Sequence, residues 1–311
     1  MSGQSESTWS APDGSAGSQQ ARRERFAWLA TLLAHRTLRF SAIPGRGLIG
    51  WAARRRSRAR GGHPFAVRTS DGVKLEAWYS PASPGRRNGT RLPVVMSHGW
   101  IEVKECHFRR ARQLNRQGHD VVLFDHRAHG RSGGRCATFG VREREDLRAV
   151  IDEAIDRGLI GDRMITMGFS MGAATVLGHA AADSRVTAVV AIAPFSNFRT
   201  AVDSFRRLLA PWMSRRWLLG GFERATLRAG WNCDEACMLE AINRIKAPIL
   251  LVEGGCDINL PPAQHTQKLV QARTCGSLEV LHLQRATHVA LCRRPWRQFS
   301  RALRTFCNEA H

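Results

Sequence analysis

The sequence predicts an α/β fold: a mostly parallel sheet flanked by helices, with a short helical cap. Two observations carry that expectation. The runs Pro93–Met96, Val121–Phe124 and Ile249–Val252 are apolar at almost every position, the pattern of strands buried on both faces. They alternate with longer stretches of helical periodicity, such as Val141–Arg157 with Leu147, Val150, Ile151, Ala154 and Ile155 on one stripe. A third points to chemistry: in Gly168-Phe169-Ser170-Met171-Gly172 a serine bracketed by glycines separates the apolar run Arg163–Met167 from the helical run Ala173–Ala180. Such a strand–turn–helix forces the serine into a strained backbone conformation and exposes its hydroxyl.

In chain order, residues 1–20 are rich in Ser, Gly and Gln, poor in apolar side chains, and read as a disordered tail without the marks of a secretory signal. Residues 21–61 form a basic amphipathic segment and linker, with eleven arginines against one glutamate between Ala21 and Arg60. Phe26–Ala34 is apolar for nine residues, about half of what spans a bilayer. It suits a helix packed on the main domain, or a helix lying on an anionic membrane surface through residues 21–60.

Residues 62–311 carry the main domain. Pro64–Arg68 and Val73–Tyr79 flank Ser70-Asp71-Gly72 as a hairpin. The Pro93–Met96 strand leads into Ser97-His98-Gly99-Trp100, then a helix over Phe108–Gln117, the Val121–Phe124 strand and the 141–157 helix. The elbow helix runs to about Ala182, and Val186–Ala193 is another buried strand. From about 196 to 245 the alternation stops in a helical, aromatic stretch suited to a cap insertion. Ile249–Val252, Leu278–Leu283 and a closing helix over Arg294–Cys307 complete the series.

A serine hydroxyl needs a base to take its proton, and that base needs an orienting carboxylate. In a sheet with such an elbow the partners follow in the order Ser, acid, His, each after a later strand. Asp257 follows Ile249–Val252 and His288 follows Leu278–Leu283, so Ser170, Asp257 and His288 are the candidate triad. Glu253 is too close to a strand end to compete, His282 belongs to a strand, and His265 falls inside the next helix. Two preorganised N–H donors are needed for the oxyanion. Met171, following the serine, supplies one backbone N–H and Trp100 the other. His98, Asp125 and Ser132 read as loop-bracing groups.

The eight cysteines are scattered without a disulfide framework or a zinc spacing, so they read as buried, reduced thiols and the protein as cytoplasmic, with peripheral membrane contact as the variant. No cofactor and no metal is expected. The net charge of +21 is carried almost wholly by arginine, in a composition typical of a GC-rich genome. Its scatter along the chain argues against nucleic acid as a partner.

The segments Ser97–Trp100, Phe124–Ser132, Gly168–Gly172, Gly255–Asp257 and Thr287–His288 together resemble the α/β-hydrolase superfamily, in particular small bacterial serine hydrolases and esterases of the S9/S33-like group. The resemblance covers Gly62 to the C-terminus. It implies an α/β-hydrolase fold, with Ser170 as nucleophile, His288 as base, Asp257 as orienting acid, and Trp100 and Met171 as oxyanion donors. Ala128 departs from it, standing where a glycine is common. The implied activity is cleavage of carboxylic esters carrying small or medium acyl groups, through an acyl-enzyme. A thioesterase or a serine peptidase/amidase would use the same triad, and a catalytically inactive membrane- or nucleic-acid-binding protein is the alternative of another class.

Overall fold

A computed structural model of the chain describes residues 14–39, 47–58, 60–86, 91–294 and 297–309. Eight strands form one sheet in the order β1-β2-β4-β3-β5-β6-β7-β8. These are β1 His63–Arg68, β2 Lys74–Ser80, β3 Val94–Ser97, β4 Val121–Phe124, β5 Met164–Phe169, β6 Val186–Ile192, β7 Ile249–Gly254 and β8 Leu278–Leu283. β1 and β2 form an antiparallel hairpin whose second strand pairs antiparallel with β4; every later pairing is parallel.

Alternate residues of the central strands feed two cores. Val95 and Val122 join one face, while Val94, Met96, Val121 and Leu123 join the other. This two-sided burial is why β3, β4 and β7 read as unbroken apolar runs. α3 (Phe108–Asn115) and α11 (Arg297–Glu309) cover the second face. α4 (Glu143–Asp156), α5 (Met171–Ala180) and α9 (Thr266–Ala272) cover the first. From β3 the chain goes outward to β4 and then crosses back to β5 on the other side of β3. That reversal opens a crevice at the carboxyl ends of β3 and β5, the usual ligand position in such sheets.

Between β6 and β7 lie α6 (Phe198–Leu209), α7 (Arg215–Arg228) and α8 (Met238–Arg244). α8 packs on α5 and α9, so it belongs to the helical layer of the sheet and the insertion proper is α6–α7. The aromatic side chains expected over the strand ends turn largely inward: Phe198, Phe222 and Trp231 are buried, with Phe198 5.4 Å from each of the other two rings.

α1 (Gly14–Arg39) begins inside the stretch expected to be disordered, so residues 14–20 are helical, while residues 1–13 lie outside the described residues. The Ser/Gly/Gln composition hides this helix because its anchor lies further along. Ala30, Ala34 and Leu38 are buried, and α1 runs along α7 so closely that a side chain at Gly221 would run into Ala30. Arg224 of α7 donates to Thr31 Oγ1 (2.8 Å) and to the Ala27 carbonyl (3.0 Å). Trp28 and Leu32 remain on the outer face. α2 (Gly47–Arg58) is tied down by Trp78, whose indole N–H donates to Ser57 Oγ (2.9 Å), so the later part of the 21–61 segment and linker is helical as far as Arg58. Among the described residues no helix is long and apolar enough to cross a membrane.

The closing helix expected over Arg294–Cys307 is α11, and a further short helix, α10 (His288–Arg293), precedes it. Arg294 precedes Pro295 and takes an extended conformation (φ −84°, ψ 140°), because proline excludes the helical region from the residue before it. The cysteines depart in part from expectation. Cys233 and Cys307 are buried, but Cys256 and Cys275 are exposed.

Candidate active site

β5 delivers Ser170 to the crevice, with φ +54° and ψ −112°, a conformation that L residues rarely adopt. The flanking glycines are required by close approach. A Cβ at Gly168 would meet the Gly172 carbonyl, and one at Gly172 would meet the carbonyl oxygens of Ser97 and His98. The elbow is therefore wedged against the loop after β3, which is also where Ser97 pairs with Gly168.

The three residues expected to form a triad come together from the ends of β5, β7 and β8. His288 Nε2 lies 3.1 Å from Ser170 Oγ, and His288 Nδ1 lies 2.7 Å from Asp257 Oδ2. The other Asp257 oxygen accepts the backbone N–H groups of Asn259 (2.9 Å) and Leu260 (2.8 Å), which fixes the carboxylate in its loop. Asp257 is buried, whereas Ser170 and His288 are partly open. With the carboxylate facing Nδ1, that nitrogen carries the proton and Nε2 is left to accept from the serine hydroxyl. His288 opens α10, so this candidate base sits at a helix start. Phe169 packs on its ring at 5.0 Å.

The rivals are engaged elsewhere. Glu253 pairs with His282 (2.8 Å) at the edge of the sheet. His265 accepts from the Ser196 backbone N–H (3.2 Å), and burial brings it down to about 4.

Met171 is the first residue of α5, where backbone N–H groups have no partner within the helix. Trp100 follows Gly99 in the β3 loop. Its ring stands 6.0 Å from Phe139, which stacks on Phe198 of α6 at 4.8 Å, so an aromatic series joins this loop to the insertion.

Two braces hold the loop, and sequence reasoning gave one of them no role. Glu102 Oε2 accepts the Gly99 N–H (3.0 Å) and pairs with His107 Nε2 (3.1 Å). Burial opposes ionisation of Glu102, yet His107 and the Gly99 N–H outweigh it and hold the carboxyl well below its usual range. Between them Ile101, a β-branched residue, is held at φ +57°. The available signal was the density of charged and histidine side chains in Glu102–His107, directly after the candidate oxyanion loop.

The other brace is His98. The His126 backbone N–H donates to its Nε2 (3.0 Å), so the proton sits on Nδ1, which donates to the Gly99 carbonyl (2.7 Å). Burial lowers His98, His126 and His129 and keeps all three neutral.

The loop after β4 is braced as the sequence suggests. Asp125 accepts the Lys104 N–H (2.9 Å), Lys104 Nζ (2.6 Å) and the Arg131 N–H (2.9 Å), and Ser132 Oγ donates to the Asp125 carbonyl (2.6 Å). Ala128 has φ +58°, which explains why glycine is usual at that position. Among the described residues no group of His, Cys, Asp and Glu side chains is placed to hold a metal ion.

Comparison with known proteins agrees with this architecture. Residues 89–232 match the family model described as serine aminopeptidase, S33. The uncharacterised protein YqkD of Bacillus subtilis is 32% identical over 164 residues, which is 50% of this chain and 52% of that protein. The uncharacterised protein Rv2307c of Mycobacterium tuberculosis is 28% identical over 212 residues, 68% of this chain and 67% of that protein. The chain thus spans about half the length of the first of these relatives. The Pyrococcus furiosus esterase Pf2001 superposes with a TM-score of 0.64 at 23% identity, covering 80% of this chain and 92% of that one. With its eight-stranded sheet and serine elbow, and with these likenesses, the chain has the α/β-hydrolase fold.

Proposed function

We propose that the protein is a serine hydrolase that cleaves carboxylic esters through an acyl-enzyme. The observation that carries this reading is the unbroken relay Ser170 Oγ, His288 Nε2, His288 Nδ1, Asp257 Oδ2, at 3.1 and 2.7 Å, with the serine on a strained elbow. In the first step the Ser170 Oγ bonds to the ester carbonyl carbon as His288 Nε2 takes its proton. The backbone N–H groups of Met171 and Trp100 donate to the oxyanion. The C–O bond to the alcohol breaks, and His288 returns the proton to the departing oxygen. Water, deprotonated by the same histidine, then attacks the acyl-serine; the carboxylate leaves and the proton returns to Ser170.

An ester is favoured by the esterase among the structural neighbours and by the apolar edges of the site. Ile258 and Val289, directly after Asp257 and His288, are strongly exposed apolar side chains. The matched family description favours a second reading, an aminopeptidase or amidase on the same triad. A panel of p-nitrophenyl esters of increasing chain length, a thioester and aminoacyl anilides separates the readings. Ester cleavage at least tenfold faster than that of the matched anilide, in kcat/KM, supports the proposal; the reverse order overturns it in favour of the peptidase.

A further inference from the structure

On the face of the sheet away from the cap, α3 and α11 lie side by side. Ala111, Leu114, Phe299, Leu303 and Phe306 share one core, and the Arg110 guanidinium sits over the Phe299 ring at 4.3 Å. Outward of this seam the two helices bound a groove of about 740 Å³. Its cationic lining is Arg109 and Arg112 from α3, Arg116 at the C-terminal cap of that helix, and Arg297, Arg301 and Arg304 from α11; the remaining lining residues are glutamines and a serine. The spacings are i, i+3, i+7 on one helix and i, i+4, i+7 on the other, so each triplet occupies one helix face. Among the described residues no acidic side chain joins this lining.

A generally arginine-rich composition does not account for two triplets in helical register facing one another. Like charges in such positions repel and weaken the fold unless something neutralises them. Their mutual effect extends beyond the groove. Partial burial, together with Arg116, Arg60, Arg109 and Arg56, lowers Arg112 from its ordinary value.

We propose that the α3–α11 groove is a binding site for a compound carrying several clustered phosphates. Guanidinium forks match phosphate oxygens two at a time, and the glutamine amides add neutral donors around them. The volume suits a multiply phosphorylated molecule better than a single phosphate ion. The described lining is guanidinium, amide and hydroxyl groups without an aromatic ring, a set that favours clustered phosphates over the stacked bases of single-stranded nucleic acid. The clustered phosphates belong either to a soluble polyphosphate compound or to a phosphorylated lipid headgroup. The site lies apart from the crevice at the strand ends and does not depend on the hydrolase reading.

The test is calorimetric titration of the full-length chain with sodium tripolyphosphate, against sodium sulfate at matched ionic strength. Saturable binding to tripolyphosphate that weakens with added salt is expected. The dissociation constant should rise at least about tenfold in the Arg112→Gln/Arg301→Gln double variant, which removes two of the six forks. Lys268→Gln, on the opposite face, should leave it unchanged. Both variants should melt no lower than the wild type, since the double variant relieves repulsion and Lys268 is exposed. Vesicles of phosphatidylcholine with and without phosphatidylinositol bisphosphate, whose headgroup carries clustered phosphates, distinguish the sources. Sedimentation with the acidic vesicles, competed by tripolyphosphate, assigns a lipid headgroup; tripolyphosphate binding without sedimentation assigns a soluble compound. Tripolyphosphate that binds no better than sulfate, or equally well to the double variant, overturns the proposal.

Discussion

Replacing Asp257 by Asn tests the relay at its buried end. The amide has nearly the volume of the carboxylate, and its oxygen can keep the two backbone N–H groups that Asp257 now accepts at 2.9 and 2.8 Å. What changes is the side facing His288. An amide NH₂ at 2.7 Å from Nδ1 requires that nitrogen to accept, which moves the imidazole proton to Nε2. Nε2 then points an N–H at Ser170 Oγ, 3.1 Å away, and cannot take the serine proton. A triad locked in the wrong tautomer loses about 10⁴ in kcat, equivalent to about 5.4 kcal/mol of barrier. Weakening two charge-assisted hydrogen bonds to neutral ones costs only about 1–2 kcal/mol of stability, so the variant stays folded. The assay is kcat on p-nitrophenyl acetate beside a thermal melt. A folded Asp257→Asn protein within tenfold of wild-type activity, with Glu253→Gln the damaging change instead, would show that the acid is Glu253.

Three further outcomes are expected. Gly172→Ala drives a methyl into the carbonyls of Ser97 and His98, and should cost about 1–3 kcal/mol of overpacking together with most of the activity. A variant that melts with the wild type refutes that contact. Glu102→Gln keeps an acceptor for the Gly99 N–H but loses the charge that binds His107, so Trp100 is held less firmly. Its kcat should fall about tenfold with KM little changed, less than the hundredfold or more of losing an oxyanion donor outright; an unchanged kcat argues that the brace does not serve the site. Stability should also fall in mild acid. Burial keeps His98, His126, His129 and His265 neutral in the fold, whereas in the unfolded chain each takes a proton near pH 6.5. The unfolded state therefore binds more protons as pH drops, and for His265 stability is lost between 6.5 and about 4. A melting temperature that stays level from pH 7 to pH 5 contradicts this.

Much of the fold was legible because its signals are local. β3, β4 and β7 are apolar on both faces, so composition alone marks them as central strands, and the two glycines of the elbow report a close approach that no other residue tolerates. The order of Ser170, Asp257 and His288 carried the candidate site, since each follows its own strand. What escaped depends on distant parts of the chain. The packed helix around Phe26–Ala34 was expected, but nothing in its Ser- and Gly-rich beginning announces that it reaches back to Gly14, nor that α7 is its partner. α8 reads like the rest of the cap until α5 and α9 claim it. The Glu102–His107 pair gains meaning only when the fold places Glu102 on the Gly99 N–H. The α3–α11 groove is hidden by an abundance of arginine, and only the packing of two helices far apart in sequence shows which arginines face one another.

Covalent capture reports whether Ser170 is a nucleophile activated by His288 and Asp257. Wild-type protein treated with a fluorophosphonate should gain the mass of one phosphonyl group, mapped by peptide sequencing to Ser170. The adduct should be absent in Ser170→Ala, which should also lose roughly four orders of magnitude or more in ester turnover while remaining folded. Labelling at any other serine, or a folded Ser170→Ala protein that still hydrolyses activated esters at the wild-type rate, would rule out Ser170 as the nucleophile.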